Sequence, residues 1–125
     1  MMAGLPRSSD GAFFLNSRVP FAQVRDGLST TLMVGEHQSR PTSGWLYSWV
    51  GVVAGGDQAI VRRLGDTDVV PNHDDLRLDE FASHHSRGCR FAMADGSVHF
   101  VSGNIDLSIS RNLSSRNGND VVTDF

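Results

Sequence analysis

The run RFAMADGSVHFV, Arg90 to Val101, reads as two short apolar stretches folded back on Asp95-Gly96. An Asp-Gly pair between alternating apolar residues signals a β-hairpin, because a tight turn needs positive φ and glycine supplies it without steric cost. Taken as a two-residue type I′ loop, the turn sets a register in which Ala94 faces Ser97, Met93 faces Val98, Ala92 faces His99, Phe91 faces Phe100 and Arg90 faces Val101. The expected core face is then Phe91, Met93, Val98 and Phe100. Ala92, Ala94, Ser97 and His99 form the smaller, more polar face.

Outward from the hairpin, Ile105, Ile109 and Leu113 recur at four-residue spacing, with Asn104 or Asp106 able to cap an amphipathic helix. That helix should fray before Arg116-Asn117-Gly118, and Val121-Val122 can return the tail to the core. Toward the N-terminus, Ser29 to Val34 reads as a strand, with Thr31 and Met33 on one face and Leu32 and Val34 on the other. Pro20 opens a helical turn through Val24 that Asp26-Gly27 stops, and Gly11 to Asn16 is a candidate short strand. The stretch from Trp45 to Val53 alternates as a buried strand. Trp45, Tyr47 and Trp49 share one of its faces, for which packing is the leading expectation and an exposed aromatic interaction strip the alternative. Residues 55–80 lose this periodicity and form a long acidic excursion within the domain.

These elements imply one α+β domain over residues 1–125, a small antiparallel sheet with short helices. A chain of 125 residues leaves little room for a second core, and 39% apolar with 20% charged residues is an ordinary globular balance. All 11 basic residues are arginine, but they are scattered and the net charge is -3, so no nucleic-acid partner is expected. The single Cys89 precludes an internal disulfide and leaves the redox compartment open. No apolar run approaches the roughly 20 residues needed to span a bilayer. The chain as given is therefore expected to be soluble, without membrane contact, and the opening residues do not read as an export signal.

Chemistry-bearing groups are few. Asp66, Asp68, Asp74 and Asp75 on the acidic excursion can converge on a hard cation such as calcium, although the EF-hand spacing is absent; a solvated loop is the leading alternative. His85, Asp95 and His99 suggest a metal or polar cluster, and Cys89 with His85 and Asp95 suggests a hydrolytic set. The competing readings are a hydrogen-bonded structural role for the histidines and a small core residue for Cys89. Nucleotide-binding glycine fingerprints, the phosphate-binding loop and the Gly-x-Ser-x-Gly elbow are all absent, so no catalytic residues and no cofactor are assigned.

The segment SHHSRGCRFAMADGSVHF, Ser83 to Phe100, resembles the signature of the DUF1559 family, prepilin-related planctomycete proteins marked by a histidine, nine intervening residues and Asp-Gly. His85 fills the histidine position and Asp95-Gly96 the last two, with Gly88 between them. Upstream, RVPFAQVRDGLSTTLMVGE, Arg18 to Glu36, is similar to that family's Asp-Gly turn, apolar strand and Gly-Glu, and IDLSISRNLSSRNGNDVV extends the likeness to Val122. The chain departs where the usual Pro-Gly-Gly after the histidine becomes Ser86-Arg87-Gly88. It also lacks the N-terminal signal and hydrophobic helix of such proteins. The resemblance implies a pseudopilin-like globular domain with a noncatalytic, structural role in envelope assembly. It implies an envelope or pseudopilus partner or self-association, and an extracytoplasmic place if a longer exported precursor carries the domain.

The hairpin makes a direct prediction: Gly96→Ala should lower thermal stability by about 1 kcal/mol, whereas Asp95→Asn should be nearly neutral because Asn serves the same turn position. Equal and negligible changes in melting temperature for both variants would reject positive φ at Gly96.

Overall fold

The computed structural model describes residues 10–14, 16–38, 65, 67–74, 80–119, 122 and 125. Three antiparallel strands form one sheet in the order β1-β2-β3: β1 is Leu32–Gly35, β2 is Gly88–Met93 and β3 is Val98–Ser102. Two 3-10 turns, Phe21–Gln23 and Leu28–Thr30, precede β1, and helix α1, Leu107–Ser114, follows β3. The α+β reading of the sequence therefore holds. The stretch from Trp45 to Val53 and most of the acidic excursion lie outside the described residues.

The hairpin forms where expected, but with a three-residue loop. The Met93 amide donates to Ser97 O at 2.9 Å, and the Gly96 amide donates to Met93 O at 3.0 Å. Gly96 has φ +86, while Asp95 is not among the residues with positive φ. This is a type I turn followed by a left-handed bulge glycine, in place of the expected type I′ turn. The register moves by one residue: Ala92 faces Val98, Phe91 faces His99, Arg90 faces Phe100 and Cys89 faces Val101. A one-residue slip exchanges the two faces of a strand. Phe91 and Met93 are buried as expected, whereas Val98 and Phe100 are 64% and 46% exposed and Val101 takes the inward position.

Cys89, Phe91 and Val101 form the buried cluster, with Leu32, Phe81 and Ile105 packed on it. The Phe81 and Phe91 rings meet edge to face at 4.9 Å. Burying one such phenylalanine contributes about 2–3 kcal/mol through apolar area alone.

On β1 the alternation is broken. Leu32 pairs with Met93 and Val34 with Ala92, so Met33 is an extra residue in a bulge. Leu32 therefore packs on the core while Val34 is 46% exposed, and the two do not share a face as alternation predicts. The preceding Ser29 and Thr30 belong to the 3-10 turn rather than the strand. Gly11 and Ala12 form a bend and Phe13 and Phe14 belong to no strand: the Arg116 amide donates to Asp10 O at 2.9 Å and its guanidinium donates to Gly11 O. Pro20 stands just before the Phe21–Gln23 turn, at its N-cap.

Helix α1 matches its pattern. Asp106 caps it, accepting from the Ser108 amide at 2.8 Å, and Leu113 is fully buried. Val122 is buried beyond it, as a returning tail requires. Among the described residues, no helix is long and apolar enough to cross a membrane.

Among the described residues, four non-glycine residues have positive φ, and three are asparagines, which tolerate this region; the fourth is Arg87, φ +79. Arg87→Gly should therefore stabilise the fold by about 0.5–1 kcal/mol, the left-handed strain less the added backbone entropy of glycine. Thermal unfolding checks this, and an unchanged or lower melting temperature would refute the strain.

Candidate functional site

Two of the family-like markers, His85 and Gly88, lie at the open end of the hairpin, and a side chain without a place in the sequence pattern holds their loop. Asn72, at φ +60, accepts from the Ser83 amide at 2.7 Å through Oδ1 and donates through Nδ2 to His85 O at 3.0 Å and Gly88 O at 3.1 Å. Ser83 Oγ donates to Gly88 O at 2.7 Å and accepts from the His85 amide at 3.0 Å. The loop from Ser83 to Gly88 is thus closed on itself around two short polar side chains, which satisfy backbone groups that no ladder reaches. Gly88 follows with no space for a side chain, since a Cβ there would collide with the carbonyl oxygen of Val101.

Glu36, just past β1, joins this loop to the sheet. Its Oε2 accepts from the Arg90 amide at 2.8 Å and its own amide donates to Arg90 O at 3.1 Å. Its Oε1 lies 3.4 Å from Nε2 of the half-exposed His85. A second acidic residue plays the same part elsewhere. Asp26, 4% exposed, accepts from the Gly118 amide at 2.7 Å and the Asn119 amide at 2.9 Å, fastening the segment after α1 to the turn before β1. Sequence reasoning missed Asn72 and the buried role of Asp26. The signal for Asp26 was its neighbour Gly27, at φ +104, but the acceptor's partners lie more than 90 residues away.

Asp95 and His99 stand apart from the His85 loop and Cys89, which share Asn72 as a neighbour. Asp95 sits at the hairpin tip, where Ser97 Oγ and the Ser97 amide donate to its Oδ1 at 2.6 and 2.8 Å. Those bonds hold its carboxyl below the ordinary carboxylate range. Cys89 lies six residues back along β2, roughly 20 Å at strand rise. Its Sγ faces Asn72 Oδ1 at 3.6 Å. His99 is on β3, with Nε2 3.1 Å from Ser97 Oγ and its ring 5.4 Å from that of Phe125. Among the described residues, no group of three or more His, Cys, Asp and Glu side chains comes together to hold a metal. Of the carboxylates considered for calcium, Asp68 stands 3.8 Å from the Arg111 guanidinium and Asp74 is exposed beyond the Pro71-Asn72 turn; Asp66 and Asp75 lie outside the described residues.

Cys89 itself behaves as a core residue. It is fully buried, and burial pushes its thiol up to about 11, with the nearby Glu36 carboxylate adding to the rise and bonds to Ser83 and Asn72 opposing it. Burial and the raised pKa both disfavour the thiolate at neutral pH, the form in which a cysteine acts as a nucleophile. Because the folded value lies above the unfolded one, its stabilising contribution is complete below about pH 9 and is lost as pH rises through about 11. Alkylation at pH 8 should accordingly be slow in the native protein and rapid after unfolding, as mass spectrometry would read; fast native labelling would contradict the burial.

No curated protein and no solved structure matches the chain. A family model described as a protein of unknown function, DUF1559, matches residues 2–108, which include the upstream strand, the histidine loop and the hairpin. The chain, through both of its motifs, belongs to the DUF1559 family.

Proposed function

We propose that this is a noncatalytic domain of a pseudopilin-like envelope assembly, supplying a rigid scaffold and contact surfaces rather than a reaction centre. The observation that carries the proposal is where the marker chemistry goes. His85 pairs with Glu36, Gly88 lies tight against Val101, Asp95 holds the Ser97 turn and Gly96 takes the left-handed position. Each group is engaged in building the hairpin or its loop, and Cys89, the one thiol, is buried with a raised pKa. An active site places its nucleophile, base and charge-stabilising donors around one accessible point. Here the same residue types point into separate local bonds.

The family adds the setting. The resemblance to prepilin-related proteins implies an extracytoplasmic setting, in which a small sheet with exposed apolar residues offers contact surfaces. Val34, Val98 and Phe100 are all exposed on one side of the sheet, opposite the Cys89, Phe91 and Val101 cluster.

Expression of the native full-length coding sequence with an epitope tag, followed by envelope fractionation and crosslinking, tests the proposal. The expected outcome is recovery with envelope material in a crosslinked assembly. A protein found wholly in the cytoplasm, with no crosslinked product, would remove the support for it.

A further inference from the structure

Among the described residues, strand β3 ends the sheet and no strand lies beside its outer edge. The hydrogen-bonded pairs of the hairpin are Met93 with Ser97, Phe91 with His99 and Cys89 with Val101, continued by the Gly103 amide donating to Arg87 O at 2.7 Å. Antiparallel residues alternate in direction, so Val98, Phe100 and Ser102 turn their backbone groups away from β2. Ser102 O already accepts from the Ile105 amide at 3.1 Å. Among the described residues nothing pairs with the outward amide and carbonyl of Val98 and of Phe100, and both side chains are exposed.

Protected sheet edges carry a charge, a proline or a bulge. This one carries none: from Gly96 to Ile105 the chain has no Asp, Glu, Lys, Arg or Pro, in a protein whose net charge is -3. Two copies can therefore bring this stretch together without like-charge repulsion along the seam. The free groups are also self-complementary, because they occur on two residues flanking His99.

We propose that β3 pairs edge to edge with β3 of a second copy, antiparallel about a two-fold axis at His99. Val98 of one copy then exchanges both backbone hydrogen bonds with Phe100 of the other, and the symmetric pair does the same, giving four bonds and one continuous six-stranded sheet. Val98 and Phe100 of both copies become neighbours on one face and continue the exposed row of Ala92 and Val34. His99 faces His99 of the second copy as a pair that is not hydrogen-bonded, with Cα atoms about 4.5 Å apart. This seam deepens the assembly reading by naming its surface and its partner, and it rests on that reading only for its biological purpose.

The register makes the proposal testable with the full chain. His99→Cys should form a disulfide-linked dimer under mild oxidation, because paired Cα atoms about 4.5 Å apart fall within disulfide reach. Asn104→Cys, exposed but outside the seam, should crosslink far less. Val98→Lys places a charge on the edge without removing a buried group, and should weaken self-association by about tenfold or more in sedimentation velocity. Circular dichroism of each variant confirms that it is folded. A chain that sediments as a monomer from micromolar to millimolar concentration overturns the seam, as does equal crosslinking at positions 99 and 104. So does a strand from another protein occupying β3 while the chain remains monomeric. Envelope assembly that survives Val98→Lys would overturn the seam and leave the assembly reading standing; loss of envelope association in a chain that still dimerises through His99→Cys would do the reverse.

Discussion

The left-handed bulge at Gly96 fixes the parity of the hairpin, and parity decides what the sheet can do. With three residues in the loop, Val101 falls opposite Cys89 and both turn inward with Phe91. With two, Val98 and Phe100 would have entered the core and Val101 would have left it. The observed count gives a small tight interior and an outer face carrying Val34, Val98 and Phe100. The same parity directs the backbone groups of Arg90 toward Glu36 and those of Val98 and Phe100 away from the sheet.

Around this hairpin the fold is held by polar side chains that reach backbone groups rather than one another. Glu36 binds the Arg90 amide, Asp26 binds the Gly118 and Asn119 amides, and Asn72 binds the loop carrying His85. Such contacts tie segments distant in sequence to one frame, and each buried acceptor must keep its donors to avoid a desolvation penalty. The two family-like motifs thereby become mechanically one: the acidic residues of the upstream stretch clamp the downstream hairpin and the segment after the helix. A scaffold built in this way has its marker residues occupied internally, which accords with a role in assembly.

Much of this was legible from residue order. The Asp-Gly turn, the Asp106 cap, the burial of Leu113 and Val122, and the burial of Cys89 followed from turn chemistry, spacing and side-chain character. The misread features share one cause. Asp-Gly suits both a two-residue I′ loop and a three-residue bulged loop, and Met33 gives no sign that it is an extra residue in β1. Each ambiguity is a single residue, but alternation converts it into an exchange of faces, as Val98, Phe100, Val101 and Val34 show.

By itself, then, the sequence determined that a hairpin forms, that glycine takes its strained position, that a capped helix follows, and which family's motifs are present. These are matters of local conformational preference and spacing. Tertiary structure alone decided the register, the acceptor roles of Asp26, Glu36 and Asn72, and the placing of Asp95 at the opposite end of the hairpin from Cys89. Each depends on which distant backbone group arrives within hydrogen-bond reach, and that is set by packing around the hairpin. The turn at Asp95-Gly96 announced a fold, but only the neighbours of its strands determined which side of that fold faces outward.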